Sequence, residues 1–199
     1  KESSAASDVY KRQVSKDIAK RKMIPADLVE AHDSGAIHIH DLDYFIQPIF
    51  NCCLVNMKDM LDNGTVVNGK MIETPKSFQV ACNVMTQIIA QIASNQYGGQ
   101  SIDISCLGKY LRRSYEKNLN LCVEMIGDVE TAQKMADAMT KKDLQSGIQT
   151  IQYQINTLMT SNGQAPFVTL FMHVKDEDPY VDEVAQIIEE ILVQRIQGI

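Results

Sequence analysis

Ile49-Phe50-Asn51-Cys52-Cys53-Leu54-Val55-Asn56-Met57 places apolar side chains on both sides of an extended chain. A strand of that pattern is covered by helices on both faces, the mark of an α/β protein rather than of a half-exposed antiparallel sheet. A strand is predicted just upstream at 36–40. Another is predicted at 166–172, where Pro166-Phe167-Val168-Thr169-Leu170-Phe171-Met172 repeats the apolar run.

Helices are expected between these strands. Val14, Ile18 and Met23 set a helical rhythm that ends before Pro25. Pro25-Ala26-Asp27 then opens a short helix and Ser34-Gly35 closes it, glycine tolerating the left-handed C-terminal conformation. Asn63-Gly64 and Asn68-Gly69 mark turns. The longest predicted helix takes Thr74 as N-cap and Pro75 as first helical residue, keeps Phe78, Ala81, Met85, Ile88 and Ile92 on one face, and stops at Gly98-Gly99. Two or three helices occupy 105–160, with Leu144, Ile148, Ile151, Ile155 and Leu158 in helical spacing, and a last one runs over 181–196. Residues 1–13 are polar and patternless and read as a tail. Residues 14–199 read as one domain, expected to be truncated because the chain stops in or just after a helix. No internal repeat or low-complexity linker marks a boundary.

The 199 residues are 45% hydrophobic and 22% charged, enough for one sizeable core. The net charge of −6 is spread along the chain and leaves no basic patch to hold a phosphate backbone, which argues against direct nucleic-acid binding. No apolar run approaches the roughly 20 residues that span a bilayer, and the start lacks a signal-peptide core, so the expected location is cytoplasmic and off the membrane. Cys52, Cys53, Cys82, Cys106 and Cys122 are odd in number and lack the spacing of a disulfide scaffold or zinc ribbon, which fits a reducing compartment.

Polar chemistry is densest in His38-Ile39-His40-Asp41-Leu42-Asp43-Tyr44. Strand alternation would put His38 and His40 on one face about 6 to 7 Å apart. Such a pair suits metal ligation, substrate hydrogen bonding or proton transfer near neutral pH; one solvated and one core-satisfied histidine is the plainer alternative. Neighbouring Cys52 and Cys53 should point to opposite faces, so one shares a surface with a site and the other packs as a small hydrophobe. Cys82, Cys106 and Cys122 fall in helical stretches and read as structural. Gln96-Tyr97-Gly98-Gly99-Gln100-Ser101 suits either close backbone approach to a phosphate or a helix C-cap. Ser161-Asn162-Gly163-Gln164 is a turn that also sets hydrogen-bonding groups at a strand entrance. The residues alone admit a metal-binding module built on His38, His40 and Cys52 or Cys53, or a helical interaction protein.

Taken in order, Gly35-x-x-His38-x-His40-Asp41-x-Asp43-Tyr44, Asn51-Cys52-Cys53-Leu54-Val55, Glu73-Thr74-Pro75-Lys76-Ser77, Gln96-Tyr97-Gly98-Gly99 and Ser161-Asn162-Gly163-Gln164-x-Pro166-Phe167-Val168-Thr169 resemble the anaerobic, class III ribonucleoside-triphosphate reductases from about Val14 to the end. The resemblance implies an α/β fold, part of the ten-stranded α/β barrel of the glycyl-radical and ribonucleotide reductase type, helix-rich over these residues. It implies reduction of ribonucleoside triphosphates to 2′-deoxyribonucleoside triphosphates for DNA synthesis. By the same resemblance a glycyl radical would make a thiyl radical, both on residues expected beyond Ile199, and the thiyl would take the ribose 3′ hydrogen while the 2′ hydroxyl leaves as water. Formate is the implied reductant. Cys52 maps to the thiol serving the 2′ side of the ribose, with Cys53 as the alternative if the register slips. His38 and His40 map to the active-site histidines, and Asn51, Ser161 and Asn162 to lining positions. The resemblance further implies a homodimer, effector nucleotides (ATP and dNTPs) at a helical interface for which 105–160 is the candidate, a radical-SAM activating enzyme bringing S-adenosylmethionine and an iron-sulfur cluster, and zinc in a C-terminal region absent here. The chain by itself is therefore expected to be inactive.

Overall fold

A computed structural model of the chain describes residues 2–46, 50–96, 98–158 and 165–198, and of residues 2–8 only the backbone. Helix α1 (Glu2–Ile18) takes in most of the segment read as a patternless tail, and it widens into a π-helical stretch at Ala19–Met23 before Pro25. Pro25 cannot donate to a preceding turn and restarts the chain as α2 (Ala26–Asp33), which ends where Gly35 adopts φ +80°.

The strand predicted at 36–40 does not form; 36–46 is a succession of bends and turns. A strand needs a ladder partner, and these amides bond back to α2 instead: Ile37 N donates to Ala31 O at 3.2 Å and Ile39 N to His32 Nδ1 at 3.2 Å. Two side chains anchor the later turns of this segment, Leu42 by its burial and Tyr44 by the Arg12 guanidinium 5.0 Å above its ring.

Strand β1 (Cys53–Val55) leads to α3 (Met57–Asp62), whose first turn is capped by Asn56 Oδ1 accepting from Asp59 N. A hairpin comes next, β2 (Thr65–Val67) and β3 (Lys70–Ile72), turning on Asn68 and Gly69 at φ +51° and +76°. Positive φ at both central residues is what a tight hairpin with the strands' own twist requires, and Asn-Gly supplies it.

Helix α4 (Phe78–Ala93) starts at Ser77, whose hydroxyl accepts from Val80 N, and not at Thr74-Pro75. Thr74 Oγ1 donates instead to Asp62 O at 2.7 Å, tying the connection to α3. The helix stops at Ser94, so Gly98-Gly99 belongs to the approach to the next strand rather than to a C-cap. Strand β4 (Gln100–Asp103), a 3-10 turn at Ile104–Leu107, α5 (Gly108–Ile126), α6 (Val129–Thr157), β5 (Val168–Phe171) and α7 (Val181–Ile196) complete the order. The two long helices inside 105–160 and the last helix fall where their periodicity placed them.

β1, β4 and β5 form a parallel sheet in the order β1-β4-β5, with Cys53 beside Gln100 beside Val168 and Val55 beside Ile102 beside Leu170. That row faces the helices. Phe78, Met85, Ile88 and Ile89 of α4, Ile148 of α6, Ile187 of α7 and Leu107 and Leu111 are buried with Ile102 in one core. Each such side chain withdrawn from water contributes about 1.5–3 kcal/mol.

The opposite row, Leu54, Ser101 and Thr169, with Asp103 and Phe171 beyond, has no helix over it among the described residues, and Leu54 is 79% exposed. Covering on both faces was expected from the apolar pattern; among the described residues the sheet is covered on one.

Candidate active site

The N-terminal edge of the sheet is built by close backbone approach. An isolated parallel bridge joins Phe50 to Gln96, Gly98 N donates to Asn51 O at 2.7 Å, Cys53 N to Gly99 O at 3.2 Å, and Gln100 N to Phe167 O at 2.9 Å. A Cβ on Gly98 would lie 2.3 Å from Asn51 Oδ1, 2.4 Å from Asn51 O and 2.6 Å from Cys52 Sγ. Glycine is thus required by proximity, and the Gly98 amide, which a phosphate would need, is bonded to Asn51.

Cys52 is exposed at this edge, and its Sγ–H donates to Asn51 Oδ1 at 3.3 Å. Cys53 turns the other way, among Met60, Val67, Ile88 and Gln96 in a cavity of about 280 Å³. Burial, with the neighbouring Cys52 second, pushes its thiol up. The remaining cysteines are buried: Cys82 is pushed up strongly by burial, Cys106 to about 12 by burial and then Asp103, and Cys122 donates to Met139 Sδ at 3.7 Å.

The histidines form a second group. His38 Nε2 lies 3.4 Å from His40 Nδ1, their ring centroids 5.6 Å apart, and His40 Nε2 lies 3.3 Å from Asp41 Oδ2. They come together through a turn in which Asp41 adopts φ +54°, not through strand alternation. At the His38–His40 contact one ring nitrogen donates and the other accepts, the direction set by the tautomers. No hydrogen bond joins this group to Cys52 among the described residues. Ser161 and Asn162 lie outside the described residues. No cluster of three or more His, Cys, Asp or Glu side chains fit to hold a metal occurs among the described residues, and no helix there is long and apolar enough to cross a membrane.

A family model for anaerobic ribonucleoside-triphosphate reductase matches residues 2–199. The chain belongs to that family. It is 41% identical over 190 residues to the anaerobic ribonucleoside-triphosphate reductase of Enterobacteria phage T4, covering 94% of this chain and 30% of that protein. It is 45% identical over 159 residues to the Haemophilus influenzae enzyme of the same name, covering 78% and 22%. This reductase chain thus spans 22 to 30% of the length of these curated relatives. A crystal structure of the anaerobic ribonucleotide reductase from Thermotoga maritima in complex with dATP and CTP matches the fold with a TM-score of 0.61 at 12% identity, over 96% of this chain and 32% of that one. The α/β, helix-rich architecture is therefore the family's.

Two features of this region were not readable as contacts: Gly98, although it lies in the Gln96-Tyr97-Gly98-Gly99 motif, and His32. The role of Gly98 depends on two distant loops meeting, although the double glycine was visible. His32 belongs to none of the five motifs, and its only cue is its place one turn before Gly35, where the chain folds back.

Proposed function

We propose that this chain supplies the reducing thiol and two substrate-orienting histidines to an enzyme that reduces ribonucleoside triphosphates to 2′-deoxyribonucleoside triphosphates for DNA synthesis. One observation carries the reading: Asn51 and Cys52 are wedged against Gly98 with the Cys52 thiol exposed, while Cys53 is turned into the helix layer. The radical that opens the reaction, by removal of the ribose 3′ hydrogen, would come from residues outside this chain.

Cys52 would deliver hydrogen to the 2′ side of the ribose. Its S–H is directed by Asn51 Oδ1, which holds the thiol as a hydrogen donor in a fixed direction. His38 and His40 would hydrogen-bond the 2′ hydroxyl or formate and ease departure of the hydroxyl as water, the His40–Asp41 contact steadying the pair. Asn51, Ser161 and Asn162 would line the pocket. Formate as reductant, ATP and dNTP effectors at a homodimer interface, zinc elsewhere in the enzyme, and activation by a radical-SAM partner using S-adenosylmethionine and an iron-sulfur cluster complete the proposal.

The test is anaerobic nucleotide reduction by the complete, activated reductase, wild type against Cys52→Ala and Cys53→Ala. Loss of turnover in Cys52→Ala with retention in Cys53→Ala is expected. The reverse pattern would move the role to Cys53, and full activity in both would remove these thiols from the reaction.

A further inference from the structure

Between the two site histidines lies a peptide whose placement needs explaining. Residues 34–46 have no ladder, and their attachment to α2 rests on few bonds. Gly35 N donates to His32 O at 3.1 Å, a bond that a helix ending in a left-handed residue makes, and Ile37 N donates to Ala31 O at 3.2 Å. The next tie is of another kind: Ile39 N donates to His32 Nδ1 at 3.2 Å. Ile39 separates His38 from His40, so this bond sets the position of both. The half-buried His32 ring also lies 5.6 Å from the His38 ring at 47°, completing a row of three imidazoles with His40.

We propose that His32 is a positioning residue of the reductase site, which fixes His38 and His40 by holding the Ile39 peptide through the Nδ1 lone pair. The inference rests on the reading of His38 and His40 given under Proposed function. Its chemistry is narrow. Nδ1 accepts only in the tautomer that carries the proton on Nε2, and an imidazolium, which has donors alone, would release the peptide. Exposed side chains on a turn outside any strand otherwise sample many rotamers, and fixing them in advance is what a site needs from its supporting residues.

The side-chain rule gives a discriminating test. Asn sets an acceptor oxygen close to where Nδ1 stands; Gln sets its oxygen farther out, near Nε2; Ala has none. In the complete, anaerobically activated reductase, His32→Ala should lower kcat by about ten- to a hundredfold, as expected for misplacement on the order of 1 Å, with a smaller change in KM. It should also speed hydrogen exchange in the peptide spanning 36–41. His32→Asn should restore both, and His32→Gln neither.

Wild-type turnover and exchange in His32→Ala would overturn the proposal, as would equal rescue by Gln. His38→Ala and His40→Ala separate the two readings. If both turn over normally, the role given to those histidines falls, and the exchange rates still decide whether His32 holds Ile39. If they are impaired while His32→Ala is not, only the role of His32 falls.

Discussion

Gly98→Ala places one methyl group against the thiol assigned to the ribose. The new Cβ would stand 2.3 to 2.6 Å from Asn51 Oδ1, Asn51 O and Cys52 Sγ, where ordinary contact begins at 3.4 Å. Moving Asn51 O from 2.4 to 3.4 Å means a retreat of about 1 Å, and that atom also accepts the Gly98 N–H at 2.7 Å, so relief of the clash breaks the bond. Overpacking of this kind costs about 1–3 kcal/mol. Displacing a reacting group by about 1 Å costs turnover on the order of a hundredfold. The assay pairs thermal unfolding with the alkylation rate of Cys52 in the native protein and nucleotide reduction by the complete reductase. Gly99→Ala is the control: its Cβ would meet Phe167 at 3.7 and 3.9 Å, ordinary contact, so stability and turnover should stay near wild type. Wild-type stability and turnover in Gly98→Ala, or equal damage from both substitutions, would refute the steric argument.

Gly147→Ala should destabilise the crossing of α4 and α6 by about 1–3 kcal/mol, because its Cβ would come within 2.5 and 2.7 Å of the Phe78 ring and 3.0 Å of Cys82 Sγ; Phe78→Leu in the same protein should recover part of the loss in chemical denaturation. Asp62 gives a pH signature. Burial pushes its carboxyl up, but hydrogen bonds from Lys109 and Tyr110 and the charges of Lys109 and Lys58 outweigh that and hold it below its ordinary 3.8. A depressed folded value means stability that is fully present above 3.8 and lost as pH falls through the folded value. Asp62→Asn should therefore cost about 1–3 kcal/mol at pH 7, and the gap to wild type should close on acidification below 3.8; a gap independent of pH would show that the carboxylate's charge is not what matters.

Long-period signals were the legible part of this chain. Leu144, Ile148 and Ile151 lie on the buried side of α6, and 181–196 is a helix to the residue. Short elements were harder because their state is decided by partners. Ile37 and Ile39 alternate as in a strand, yet their amides found acceptors on α2 and, among the described residues, they pair with no strand. Thr65-Val66-Val67 and Lys70-Met71-Ile72 read only as a connection, although the Asn-Gly between them is a hairpin signal, because three residues are too few for a period. Thr74-Pro75 resembles a helix start, but Thr74 is drawn to Asp62 and the start passes to Ser77. At the site, Asn51, Cys52 and the His38–His40 pair were legible as residue types. That Asn51 and Cys52 meet Gly98, and that the histidines meet through a turn, comes from chain reversals that neighbouring sequence does not record.

The one-sided sheet separates two kinds of demand on neighbouring residues. Cys53, Val55, Ile102 and Leu170 answer to the volume of the helix layer, whereas Leu54, Ser101 and Thr169, on the same strands, are released from that requirement. Substitutions along these strands should thus alternate in kind as well as in severity, one residue governing how much folded protein a cell keeps and the next how it behaves toward whatever meets the face that the described residues leave uncovered. Such a surface can change its chemistry over generations while the scaffold beneath it stays intact.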